Sequence, residues 1–202
     1  VFAEETLSSF FYFFVIHAEG EAFFNQFSVF KPGERVVAEG TGDPLGIRSR
    51  PFVPGMTRSG VADAYGYPLQ EIEMIGDSRL RNVVASVRYA QYLGIPATGE
   101  LANLEVAPGS RTFDDLVREE GTLHLVRVSS FFPDPMTGNF SAEIRLGYLY
   151  RGGKTVPVKG GSVSGNIRHL LANAQFSRET VKESAYWGPK GIRLPGVDVT
   201  GA

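Results

Sequence analysis

His17-Ala-Glu-Gly-Glu21 is the segment whose residue types come nearest to metal chemistry. If a helix carries through it, His17 and Glu21, four apart, share a face and can both reach one ion. A zinc site takes at least three protein ligands, and nothing close in sequence offers a third. The plain alternative, a polar helix end after an apolar run, fits the ligand count better. His124 alternates with Leu123 and Leu125, so in a strand it points away from them as a surface or cross-strand residue rather than a base. His169 lies about 200° around a helix from Ile167 and is expected to be exposed. No Gly-x-Ser-x-Gly elbow supports a serine nucleophile, and no phosphate loop or dinucleotide fingerprint is present. The absence of cysteine excludes disulfides, thiolate ligands and a cysteine nucleophile. No catalytic residue is assigned from these patterns.

The element that would carry His17 is a helix. Phe10-Phe-Tyr-Phe-Phe-Val-Ile16 is apolar nearly all round, as a core helix is, and Glu4-Glu5 stands where acidic residues favour a helix start. The expected span is Thr6 to about Ala18, with Gly20 as its end. The run is shorter than the roughly 20 residues that cross a bilayer, and its acidic start is unlike a signal peptide.

The longest ordered series lies between Ser141 and Asn166. From Ser141 to Tyr150 the side chains alternate, placing Ala142, Ile144, Leu146, Tyr148 and Tyr150 on one face of a half-buried strand. Arg151-Gly-Gly-Lys154 suits a tight primed turn, so Thr155–Lys159 should return antiparallel, with Pro157 marking an edge or a bulge. Asn166 is a helix N-cap, because Ile167, Leu170, Leu171 and Ala174 follow at helical spacing. Glycine-flanked strands with a proline-marked edge could also accept an extended peptide by strand addition.

Elsewhere the signals are shorter. Leu69–Ile75 alternates and turns at Gly76-Asp77. Val83–Leu93 reads as a helix stopped by Gly94. Leu104–Ala107 reads as a strand, and Thr112-Phe-Asp-Asp115 has capping-box spacing ahead of a helix from Phe113 to Glu120. Leu123–Phe132 is strand-like, and Ile192–Leu194 and Val197–Val199 look like edge pieces. The glycine- and proline-rich Glu39–Gly66 reads as a long connection. Together these predict an α+β fold, mainly antiparallel sheet or a partly closed barrel, with several short helices in one domain over residues 1–202.

Composition agrees. A chain of 202 residues, 43% hydrophobic with 24 Gly and 12 Pro, is too apolar for disorder and suits a turn-rich globular domain. A formal net charge of -2 with mixed signs lacks the basic field of a nucleic-acid binder. With no cysteine and no membrane span, the expected location is cytoplasmic.

The ordered set Leu101–Gly109, Thr112–Leu116, Pro135-Met-Thr-Gly-Asn-Phe-Ser141, Pro157-Val158 and Ser164-Gly-Asn166 resembles the C-terminal domain of the TldD/PmbA family, once named modulators of DNA gyrase. Ser28-Val-Phe30 and Gly94 to Gly99 fall in order too, so the resemblance runs over the whole chain. It implies a largely antiparallel β domain and peptide processing by a TldD/TldE heterodimer, in which a zinc peptidase subunit pairs with a related subunit lacking the metal. Unfolded peptide would enter a narrow cleft as an extended strand. On that basis Thr137, Gly138, Asn139, Phe140, Gly165 and Asn166 are the candidate peptide-binding residues.

The active subunit of such a pair carries His-Glu-x-x-x-His on a helix and a later cysteine ligand. Here the corresponding region reads His17-Ala-Glu-Gly-Glu-Ala-Phe23, without cysteine. The chain therefore resembles the metal-free PmbA/TldE branch, with the family's N-terminal domain outside the sequence. No cofactor is expected on this chain, zinc belonging to a TldD-like partner; a homodimer is the other assembly considered. The rival readings are a self-sufficient metallopeptidase using His17, Glu21 and a distant ligand, and a β-rich peptide-binding or assembly module without proteolysis.

Overall fold

A helix apolar nearly all round is stable only where most of it is covered, and α1 (Leu7–His17) is covered except along a stripe through Ser8 and Tyr12, which are exposed. In the computed structural model, which describes residues 1–3 and 6–201, its Leu7, Phe10, Phe11, Phe13, Phe14, Val15 and His17 are all buried. The expected acidic start at Glu4 and Glu5 lies outside the described residues. Each fully buried phenylalanine contributes roughly 2–3 kcal/mol of apolar transfer.

Two sheets supply the surroundings. The first has eight strands: β1 (Phe2–Ala3), β6 (Thr122–Val128), β7 (Asn139–Arg151), β8 (Lys154–Val158), β9 (Ser162–Asn166), β10 (Gln175–Phe176), β13 (Gly191–Arg193) and β14 (Asp198–Thr200). Their order is β10-β13-β1-β6-β7-β9-β14, with β8 against β7. The second, ordered β11-β12-β5-β2-β3-β4, contains β2 (Ile47–Arg50), β3 (Ile72–Gly76), β4 (Arg79–Leu80), β5 (Asn103–Val106), β11 (Thr180–Glu183) and β12 (Tyr186–Pro189). Only β1 with β6 and β5 with β12 run parallel among the described strand pairs. Phe11 joins the layers: its ring stacks on Tyr186 of β12 and meets Phe176 of β10 edge-on. The fold is thus α+β with two open, mainly antiparallel sheets, and the partly closed barrel is corrected, because neither sheet returns to its first strand.

Several sequence expectations hold. Gly152 and Gly153 both take positive φ in the β7–β8 turn, and β8 with Pro157 is an edge strand. Thr112 and Asp115 make a reciprocal capping box on α4 (Phe113–Val117), a helix shorter than expected. Gly94 ends α3 (Val87–Leu93) in the left-handed conformation. Asn166 caps α5 (Ile167–Leu170), and Ile167, Leu170, Leu171 and Ala174 are all buried although the last turn is a 3-10 helix.

Others are corrected. The alternation of β7 buries Phe140, Ala142 and Ile144 but leaves Leu146 37% and Tyr148 38% exposed. Pairing with β6 is irregular where Arg127 meets Leu146, and beyond it Gly147 is the buried position. The helix expected from Val83 begins at Val87, because Val84 spends its N–H on Ala18 and its C=O on Gly20. The long connection Glu39–Gly66 contains β2, an interior strand between β3 and β5. Its alternation was hidden because Arg48 and Arg50 face outward to ion-pair with Glu73, Glu71 and Glu105 while Ser49 is buried. Ile192 lies in β13, between β10 and β1, and is an interior rather than an edge position.

Candidate functional site

α1 stops at His17, and the chain turns through Ala18 and an extended Glu19 (φ -89°, ψ 145°) into α2 (Gly20–Phe24). Gly20 therefore opens a helix rather than closing one. The corner is pinned to the residues before α3: Gly20 N–H donates to Val84 O at 2.8 Å and Val84 N–H to Ala18 O at 2.9 Å. A side chain at Gly20 would press on Ala85 and Tyr89 at 3.0 Å, which explains glycine at this crossing. The helix does not continue through Glu21, so the premise that set His17 and Glu21 on one helical face is not met.

His17 is fully buried, in a box of rings from Phe13 at 4.7 Å, Phe30 at 5.2 Å and Phe27 at 6.5 Å. Its Nδ1 accepts from Val29 N–H at 3.3 Å, so the neutral imidazole carries its proton on Nε2. Burial holds its pKa below the ordinary histidine value; the Pro135 backbone opposes that and Arg168 adds to it. One imidazole with an occupied Nδ1 in an apolar box does not fit a zinc ion. Among the described residues no three His, Asp or Glu side chains converge on a metal.

The candidate peptide residues come together in an elbow where β7 and β9 begin and end. Asn139 pairs with Asn166 and Phe140 with Gly165. Asn166 Nδ2 donates to Thr137 O and to Asn139 Oδ1, both at 2.8 Å, while its Oδ1 accepts from Arg168 and His169 N–H. Gly138 O accepts from Ile167 N–H, and Asp134 Oδ1 gathers the Thr137 N–H and hydroxyl. The amide of Asn166 is thus fully used within the elbow. Gly138, at φ +74°, sits where an added Cβ would meet the Phe13 ring at 3.3 Å. The elbow and His17 therefore share Phe13 as a common wall.

The other two histidines sit as their spacing indicated. His124 lies opposite Tyr148 across β6–β7 with its ring edge-on to Phe113, and burial pushes its pKa down to about 4. His169 is exposed.

On the other side of the Ala18–Gly20 corner opens a cleft with a cavity of about 400 Å³, walled by Tyr12 and Tyr89 and bearing Glu19, Glu21, Glu100 and Arg58. Burial pushes the Glu19 carboxyl up to about 7; Glu21 and Glu100 add to the rise and Arg58 opposes it. Tyr89 hydrogen-bonds Glu21. Apart from Glu21, this set is new relative to the sequence reading. Glu19 carried a weak local signal, flanking Gly20 together with Glu21, but nothing in the sequence links them to Arg58 or Glu100.

Compared with known families, residues 1–201 match the PmbA/TldA metallopeptidase C-terminal domain. The chain belongs to this family. Its PmbA/TldA fold is that of TldE from Thermococcus kodakarensis, at 19% identity and a TM-score of 0.84, covering 99% of this chain and 49% of that one. A candidate modulator of DNA gyrase from Thermotoga maritima gives 20% identity and a TM-score of 0.83, covering 100% and 48%. A Bacteroides thetaiotaomicron protein of the same description gives 19% and 0.82, covering 100% and 46%. An uncharacterized Methanocaldococcus jannaschii protein is 25% identical over 131 residues, covering 57% of this chain and 30% of its own. The chain spans about half the length of the solved structures, so the likeness to them concerns one PmbA/TldA-type domain. Among the described residues no helix is long and apolar enough to cross a membrane.

Proposed function

We propose that this chain is the C-terminal domain of a non-catalytic subunit in a TldD/TldE-type peptidase assembly, in which a TldD-like subunit supplies the zinc and unfolded peptides are processed or degraded. The observation that supports the reading is the state of α1. Where an active subunit resembles His-Glu-x-x-x-His, this helix offers one imidazole, enclosed by Phe13, Phe27 and Phe30 and engaged by Val29 N–H. Where that motif would place the carboxylate and the second imidazole, this chain has Ala18 and Ala22, both fully buried. The elbow of Thr137, Gly138, Asn139, Phe140, Gly165 and Asn166 contributes rigidity to the wall of a peptide channel, its polar side chains holding the backbone.

Metal content, native mass and peptide cleavage of the full-length protein, alone and with a TldD-like partner, test this. Zinc and cleavage are expected only in the complex. Stoichiometric zinc and cleavage by the protein alone would overturn it.

A further inference from the structure

A group of rings that touch one another stands at the surface where α2 meets α3. Phe24 of α2 stacks on Tyr92 of α3 with ring centres 4.7 Å apart, and Tyr89 meets Phe24 at 6.0 Å and Tyr92 at 6.4 Å. Arg88, one turn before Tyr92, lays its guanidinium over the rings of Tyr89 and Tyr92 at 5.5 and 5.8 Å. Phe24 is nevertheless 45% and Tyr92 55% exposed, and Tyr12, which lines the same cleft as Tyr89, is 48% exposed. Apolar residues scattered singly over a surface are ordinary, whereas a contiguous patch marks a place of contact. Tyrosine, phenylalanine and arginine are also the types that the centres of interfaces concentrate. Leu146 and Tyr148 of β7 are exposed as well, but their sheet ends beside them in β8, where Lys154, Pro157 and the following Lys159 form a pattern that keeps other chains away.

The size of the occupant follows from area. The chain exposes 10174 Å². A compact monomer of 22.0 kDa exposes about 9,300 Å². Roughly 900 Å² is therefore in excess, close to the roughly 800 Å² that each partner contributes to a standard protein interface. That is the footprint of a folded domain rather than of a small ligand. The solved relatives contain such a domain: this chain covers 49%, 48% and 46% of three of them, so their other halves are of similar length. A half joined through the backbone meets this face at an effective concentration that a free partner does not reach. Interfaces between domains of one chain are also more polar than obligate subunit contacts, which suits a patch of tyrosines and an arginine.

We propose that in the full-length protein the half outside this sequence packs against the α2–α3 face, burying Phe24, Tyr89 and Tyr92 and meeting Arg88 with a carbonyl or carboxylate oxygen. The inference rests on the reading above of this chain as one domain of a longer subunit, and it makes this face the seam between the two halves.

Hydroxyl-radical footprinting of the full-length protein, read by mass spectrometry at a concentration where native mass shows a monomer, tests it. Left uncovered, Tyr92 at 55% exposure should label faster than Tyr148 at 38%. Covered by the other half, Tyr92 and Phe24 should each label at least about tenfold more slowly than in the urea-unfolded protein, as residues at the centre of an interface do, and Tyr92 should fall behind Tyr148. Weaker protection of Tyr92 in the monomer would overturn the proposal. So would protection that appears only on self-association, which gives the face to a second copy, or only when a TldD-like subunit is added, which gives it to that partner. Intact mass checks the longer chain on which the proposal rests. Zinc content and cleavage by the partnered complex remain separate readouts, so failure here is distinguishable from failure of the assignment to a peptidase assembly.

Discussion

His17 and Glu19 are two residues apart and occupy opposite kinds of environment. His17 ends α1 on the inner side of the corner, among aromatic rings. Glu19 lies past the corner, in an open cleft with two further carboxylates and an arginine. Both titrating groups are displaced toward neutrality by burial, the imidazole downward and the carboxyl upward. Burial disfavours whichever form is charged. On the sealed side rings enclose the imidazole, while on the open side the carboxyl is half-buried with Arg58 opposing the rise of its pKa. The difference teaches that one turn of backbone, the extended Glu19 whose neighbours Ala18 and Gly20 are held by Val84, decides which residues build the core and which face the open cleft.

The comparison can be broken most severely on the sealed side. Phe14 is fully buried and stacks on Phe30, so Phe14→Ala should cost about 4 kcal/mol in denaturant unfolding, whereas truncating exposed Tyr12 in the cleft should cost far less. The open side responds to pH instead. The folded-state pKa of Glu19 is raised to about 7 from 4.5, so the unfolded chain ionises first and stability is lost as pH rises through that window. Glu19→Gln should therefore be more stable than the parent at pH 8, by on the order of 2 kcal/mol, and no more stable at pH 4. Equal stability differences at both values would place Glu19 in a water-like setting. Asn166→Ala removes the cap of α5 and the two bonds that close the elbow, and thermal melting should report a loss of about 1.5 kcal/mol. The smallest effect is expected at His17. Its lowered pKa means that the stability present above pH 6.5 declines as the unfolded chain takes up a proton first on acidification. His17→Phe should flatten the decline between pH 7 and pH 4, leaving the part due to His124, whose pKa is also lowered.

Much of the local framework, the Asn166 cap of the elbow included, was legible because its devices are local. The Asn166 cap, the Gly152-Gly153 turn and the Thr112 capping box each operate within a few residues. The candidate cleft was not, since Arg58, Tyr89 and Glu100 meet Glu19 only through the crossing of α2 and α3 at Gly20. β2 was missed for a related reason: its outward arginines are explained by Glu71, Glu73 and Glu105 on other strands.

By itself the sequence determined the core helix, the hairpin with its proline edge, the capped helix after Asn166 and the family, because apolar spacing, turn chemistry and ordered motifs survive without knowledge of contacts. The tertiary structure alone decided where α1 ends, that β6 and β7 expose Leu146 and Tyr148, that two open sheets form instead of a barrel, and that His17 and Glu21 part company. Each of these depends on a backbone hydrogen bond or a packed ring supplied from a distant part of the chain, and pairings of that range are not encoded in any one stretch of residues.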